Sequence, residues 1–291
     1  MSMTDAPLTC ALVGLGRMGR GIADRLAGAG RLVGVWDVMP RDGAPAPFLP
    51  PVALAGMVDV MLFAVPTTAD IRAALQGVTL PEGRVVVDLT TSDPADGAAL
   101  AAELAAGGVA YVDAAMTGGA QGAAEGRLTL MAGGDVATLA RLADTFGLFA
   151  QKVFHLGPAG SGQAMKLVHN AILHATYLAT CEGLRMAERA GIDAATATAV
   201  LNAGNARSFV SEVRFPRDIL KPEPSAQSAV VTLAKDLSLA EGFARRLGAP
   251  SPYADLTAHL LSLAATTGDP ARDFGRLFRE YDDFAAREEG A

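Results

Sequence analysis

Seven short apolar runs fill the first half of the chain: "LTCALV", "RLVGVWD", "VDVMLFAVP", "GRVVVDLTT", "VAYVDAAM", "RLTLMAGG" and "KVFHLG". They are continuous rather than alternating, the pattern of strands buried on both faces of a parallel sheet. Stretches with helical spacing at 70–76, 94–106 and 135–146 separate several of them. Strands alternating with helices predict an α/β, Rossmann-type, doubly wound and mostly parallel sheet. After Leu156 the pattern changes. "GPAGSG" breaks the chain, and helical segments follow at 161–190, 193–203, 226–247, 252–266 and 272–288, with no convincing strand among them. The expected organisation is a sheet domain over 1–159 and an all-α domain over 160–291, joined by a long interdomain helix.

That long helix, "GSGQAMKLVHNAILHATYLATCEG", is apolar on nearly every side, which predicts burial all round. Between Lys152 and Glu182 its one formally charged side chain is Lys166. A lysine is rarely buried without a partner or a task. Asn170 follows four residues later and shares its face. His169 points elsewhere and reads as a packing residue, whereas His174 extends the Lys166–Asn170 stripe by a turn.

The first strand runs into Gly14-Leu15-Gly16-Arg17-Met18-Gly19, a GxGxxG turn that opens a helix. The first glycine permits the turn, the second lets backbone approach a pyrophosphate, and the third allows close helix–strand packing. The helix N-terminus then presents N–H groups and a positive dipole end to phosphate. Asp37 closes the second strand 21 residues after Gly16, the place for a carboxylate that accepts the ribose hydroxyls of an adenosine. Its charge would repel a 2′-phosphate, and position 38 is Val38 rather than arginine, so the reading favours NAD over NADP.

Composition narrows the partners. The 291 residues are 51% hydrophobic and 19% charged, with a net charge of −7. That composition describes a packed globular protein and argues against nucleic acid or an anionic membrane as partner. No run of 18 or more uninterrupted apolar residues predicts a span. Two cysteines, Cys10 and Cys181, imply no disulfide framework, and a reducing, cytoplasmic setting is expected. The four histidines lack carboxylate or thiol neighbours at ligand spacing, so no metal site is expected. "MSMTDAPLTC" lacks the basic-then-apolar order of a signal peptide.

Together these motifs resemble the β-hydroxyacid dehydrogenase family, the group of 3-hydroxyisobutyrate dehydrogenase, tartronate semialdehyde reductase and, more distantly, 6-phosphogluconate dehydrogenase. "VGLGRMGRGIADRLAGAG" resembles the family's opening glycine signature, and "WDVMP" the form seen in members that prefer NAD. The resemblance implies cofactor contacts from Val65, Pro66 and Asp70 in "FAVPTTADI", from Thr91 in "VDLTTSDP" and from Lys235 in "LAKDLSLA". "VDAAMTGGAQGAAEGRLTLMAGG" is similar to the substrate-binding signature, with Thr117-Gly118-Gly119 where the family usually has Ser-Gly-Gly. "GSGQAMKLVHN" is similar to the catalytic segment, which makes Lys166 the expected general acid/base and Asn170 a residue that orients the substrate. Burial beside an oxidised nicotinamide would favour the neutral amine of such a lysine. Three positions depart from the pattern: Thr117 for serine, Phe209 for tryptophan and Ser228 for a pocket-closing phenylalanine.

The activity so implied is NAD-dependent interconversion of a small anionic 3-hydroxy acid and its semialdehyde or keto acid. A homodimer or homotetramer formed through the helical domain is expected. An imine reductase shares the architecture by resemblance but typically lacks a lysine at this position. A non-catalytic NAD-binding protein on the same fold is the other alternative.

Overall fold

The computed structural model describes residues 6–286, and the chain divides into two compact units, one ending at Lys166 and the other beginning at Leu167. All seven expected strands form, in the order β1 (Cys10–Val13), α1 (Arg17–Gly28), β2 (Leu32–Trp36), α2 (Pro51–Leu54), β3 (Val60–Phe63), α3 (Thr68–Ala74), β4 (Val85–Asp88), α4 (Pro94–Ala105), β5 (Ala110–Thr117), α5 (Gly119–Glu125), β6 (Leu128–Gly134), α6 (Val136–Gly147) and β7 (Ala150–His155). They make one sheet, β2-β1-β3-β4-β5-β6-β7. β1 to β5 run parallel, β6 is antiparallel to β5, and β7 is parallel to β6.

Successive strand residues face opposite sides, and both sides are covered. Cys10, Leu12, Val60, Leu62, Val85 and Val87 pack with Ile22 and Leu26 of α1 and Leu142 and Phe146 of α6. Ala11, Val13, Met61, Phe63 and Val86 pack with Leu54 of α2, Ile71 of α3 and Leu100 of α4. This double burial is why the strands read as unbroken apolar runs. β7 differs. It is the sheet's last strand, and only Ala150 is buried, with Val153 and Phe154 43% and 52% exposed.

From residue 161 on, the elements are α7 (Ser161–Arg189), α8 (Ala194–Ala203), a π-helical stretch over Val210–Ile219, α9 (Val230–Arg246), α10 (Pro252–Thr267), a 3₁₀ turn over Phe274–Phe278 and α11 (Tyr281–Ala285). The second unit's core gathers around Tyr177, Phe215, Leu237, Leu261 and Phe274. Within it the Tyr177 hydroxyl donates to the Phe274 carbonyl at 2.9 Å.

Four expectations change. The helix expected over 226–247 starts at Val230, because the Asp273 carboxylate accepts the N–H groups of Ala226 and Gln227, each at 2.7 Å, and holds that segment in a bend with Gln227 at φ +60°. The helix expected over 272–288 breaks after a turn capped by the same carboxylate; residues 287–288, like residues 1–5 of the opening, lie outside the described residues. The π-helical stretch, with Pro216 inside it, was not anticipated. Finally, α7 is covered on one side only: Leu167, Tyr177, Cys181 and Leu184 are buried, but Ile172 and Met186 are 64% and 62% exposed. Among the described residues no helix is long and apolar enough to cross a membrane.

Candidate active site

In a parallel sheet, ligands bind beyond the carboxyl ends of the strands. There Gly14 follows β1 with φ +96°, and a Cβ on it would stand 2.5 Å from the Ala64 carbonyl oxygen. At Gly16 a Cβ would meet nothing within 4 Å, so open space lies in front of that backbone. No side chain caps α1, which leaves its first N–H groups to a phosphate. Asp37 follows β2, is 9% exposed, and accepts the Leu15 N–H at 2.7 Å and the Met39 N–H at 3.0 Å. The carboxylate therefore ties the glycine turn to the second strand. Val38 beside it is 79% exposed, and Arg41 folds back to 3.7 Å from Asp37. An open backbone, an uncapped helix and a fixed carboxylate fit a dinucleotide.

The other strand ends carry the remaining expected residues of this unit. Val65 and Pro66 follow β3, and the Val65 side chain lies 3.1 Å from the position of a Cβ on Gly14. Asp70 closes a capping box with Thr67 at the start of α3, a structural task the sequence reading did not assign it. Thr91 lies in the loop after β4. Thr117 is the last residue of β5, paired with Thr129 of β6, and Gly118 with φ +125° turns the chain into α5. The segment after Thr117 is thus a short helix.

The start of α7 is bonded to this sheet. Asp113 of β5 accepts the N–H groups of Gly160 at 2.7 Å and Gln163 at 2.8 Å. Asp88, the last residue of β4, accepts the Gln163 side-chain amide at 2.9 Å, the Thr68 hydroxyl at 2.9 Å and the Tyr111 hydroxyl at 2.8 Å. Lys166, half-buried, lies three residues beyond Gln163. The sequence reading passed over Asp88, Asp113 and Gln163. The only signal was a charged residue inside each of two otherwise apolar strands.

In the second unit Asn170 is 3% exposed. Its amide donates to Asp236 at 2.7 Å, and its carbonyl oxygen lies 3.0 Å from His169 Nδ1. The same Asp236 carboxylate lies 3.1 Å from the Lys235 ammonium. Asp236, another residue the sequence reading missed, therefore joins two that it named. His174 is buried edge-on to Phe274, ring centres 6.5 Å apart. Ser228 is half-buried, and its carbonyl accepts the Phe274 N–H at 2.9 Å. Phe209, 51% exposed, lies under the Arg214 guanidinium at 5.7 Å.

Comparison with known proteins agrees with this arrangement. Residues 9–157 match the family described as the NAD binding domain of 6-phosphogluconate dehydrogenase. Residues 160–281 match the one described as NAD-binding of NADP-dependent 3-hydroxyisobutyrate dehydrogenase. The chain is 30% identical to L-threonate dehydrogenase of Cupriavidus necator, over 90% of this chain and 92% of that one. It is 27% identical to human mitochondrial 3-hydroxyisobutyrate dehydrogenase, over 92% and 84%. The solved structure of Mycobacterium tuberculosis 3-hydroxyisobutyrate dehydrogenase with L-serine superposes with a TM-score of 0.84 at 27% identity, covering 95% of this chain and 99% of that one. With a dinucleotide turn, a two-unit fold and family matches along nearly its whole described length, the chain belongs to the β-hydroxyacid dehydrogenase family and is an NAD(P)-dependent dehydrogenase of hydroxy acids.

Proposed function

We propose that this enzyme interconverts a small 3-hydroxy acid and its semialdehyde or keto acid, with NAD as the preferred cofactor and Lys166 as general acid/base. One observation carries the reading: the single charged side chain of the first five turns of α7 sits one turn past a helix start bonded to β4 and β5, two strands of the sheet whose β1 runs into the dinucleotide turn and whose β5 ends in Thr117. Bound NAD supplies the hydride acceptor. The residues of the chain manage the proton and the geometry. Lys166 takes the hydroxyl proton through Nζ as the alcohol is oxidised, and returns it in the reverse direction. The N–H groups of Gly118 and Gly119 and the Thr117 hydroxyl hold the substrate carboxylate. Asn170, its side chain locked by Asp236 and His169, orients the substrate, and Lys235 contacts the cofactor.

The exposed apolar residues of α7, Ile172 and Met186 above all, support assembly with a second copy through the helical domain. Two buried thiols, with desolvation pushing that of Cys10 up to about 12, suit a cytoplasmic setting.

The test is a screen of 3-hydroxyisobutyrate, glycerate, serine and threonate with NAD, read as absorbance at about 340 nm, repeated on Lys166→Ala. The variant is expected to lose about two to four orders of magnitude in turnover, the usual reach of general acid–base catalysis, while cofactor affinity stays nearly unchanged. A folded Lys166→Ala protein that keeps most of its turnover overturns the assignment.

A further inference from the structure

Four helices start on a local side-chain cap: Thr67 before α3, Asp93 before α4, Asp135 before α6 and Asp193 before α8. The start of α7 is held differently. Its cap is a pair of carboxylates on neighbouring strands, far away in sequence and with no exposed surface. Asp88 and Asp113 are direct partners in the β4–β5 register. Asp113 takes the backbone N–H of Gln163, and Asp88 takes the side-chain amide of the same residue. Gln163 is therefore fixed through main chain and side chain at once. The approach leaves no slack. A Cβ on Gly162 would lie 2.2 Å from the Met131 carbonyl oxygen and 2.7 Å from Asp113 Oδ2. A Cβ on Gly133 would lie 2.6 Å from Asp113 Oδ1.

Burying two carboxylates is unfavourable in itself. Desolvation, reinforced by the Asp88 charge and opposed by the Gly160 and Gln163 bonds, pushes the Asp113 carboxyl up to about 6. An exposed local cap would start the helix at lower cost, so the buried arrangement calls for an explanation beyond capping.

We infer that Asp88, Asp113 and Gln163 form a clamp whose task is to position Lys166 relative to the end of β5; the inference rests on the lysine's proposed role. β5 carries both the anchor and, four residues or about 13 Å along the strand, Thr117. Lys166 lies three residues, about 4.5 Å along the helix axis, beyond Gln163. One rigid strand thus sets the position of the carboxylate-binding turn and, through the clamp, of the proton-handling amine. A misplacement of about 1 Å at a reacting group costs on the order of 100-fold in rate.

Two variants probe the joint from opposite sides. Asp113→Asn keeps the shape but sets an amide donor against one of the two N–H groups. Gly162→Ala drives a methyl against the Met131 carbonyl. Each is assayed with the fastest substrate of the four-acid screen, unlabelled and deuterated at the hydroxyl-bearing carbon, and NAD binding sites are titrated calorimetrically. Both should lose roughly 10- to 100-fold in kcat, the range expected for misplaced catalytic groups. NAD affinity should stay within about threefold, and the isotope effect on kcat should rise as the chemical step becomes limiting.

A merely structural role would lower the titrated sites and leave kcat per site and the isotope effect unchanged, and that result overturns the inference. If Asp113→Asn does not fold, Gly162→Ala decides alone. Lys166→Ala separates the two readings. Should it retain turnover, the role of the lysine falls and the clamp's purpose with it. If it is inactive while the two joint variants keep more than half their kcat, the clamp inference alone falls.

Discussion

Two glycines two residues apart should fail in opposite ways. Gly14 has φ +96°, and an added Cβ would press on the Ala64 carbonyl oxygen at 2.5 Å and its carbon at 2.8 Å. The left-handed backbone costs an alanine about 1–2 kcal/mol, and overpacking against main chain adds about 1–3 kcal/mol. Gly14→Ala should therefore lose about 2–5 kcal/mol of stability, which lowers Tm by roughly 3–8 °C for a protein of this size. Gly16 has φ −63°, and a Cβ there meets nothing within 4 Å. Alanine gains about 0.4–1 kcal/mol from a stiffer unfolded chain. It loses a similar amount as a poorer N-cap, so Tm should barely move. The methyl would instead occupy the space through which pyrophosphate approaches α1. An overpacking cost of about 1–3 kcal/mol then weakens NAD binding by roughly 5- to 150-fold. Thermal melts without cofactor and calorimetric titration of NAD separate the two effects. A Gly16→Ala protein that binds NAD as tightly as the parent, or that melts as low as Gly14→Ala, would refute the assignment of this turn to the cofactor.

Asp37→Asn combined with Val38→Arg should shift preference from NAD toward NADP by removing repulsion and adding a phosphate partner; an unaltered enzyme that already prefers NADP in side-by-side kinetics defeats the reading of Asp37. Ser228→Phe should raise kcat/KM for 3-hydroxyisobutyrate relative to a hydroxylated acid such as glycerate, because each Å² of apolar surface newly buried is worth about 25 cal/mol; equal or better efficiency on 3-hydroxyisobutyrate in the unaltered enzyme removes the premise. Asp113, raised from 3.8 to about 6, stabilises the fold most when protonated, and that contribution is lost as pH rises through about 6. The unfolding free energy of the parent minus that of Asp113→Asn should therefore fall by about 1.4 kcal/mol between pH 5 and pH 7.5. A difference that stays flat across that range in denaturant titrations contradicts the burial argument, with Asp88 the neighbouring charge to test next.

The parts of this protein legible in its sequence are those decided by neighbours along the chain. Strands β1, β3 and β4 are buried at every residue, and a segment hidden on both faces must be apolar throughout. The glycine turn was equally readable, because the backbone angle at Gly14 and the closeness of Gly19 to the Gly14 carbonyl are local demands on residue type. What tertiary structure alone decided depends on contacts far apart in sequence. Asp113 reaches Gly160 and Gln163 across 47 and 50 residues, and Asp236 reaches Asn170 across 66. No local pattern distinguishes a carboxylate that caps a distant helix from one that faces solvent. The same limit explains the non-helical segment before α9, where Asp273, 47 residues on, captures the Ala226 N–H and overrides helix propensity. It also explains α7, whose apolar residues all look alike in sequence although Leu167 and Cys181 are fully buried and Ile172 is 64% exposed. Hydrophobicity records that a side chain can be buried; the packed fold determines what covers it.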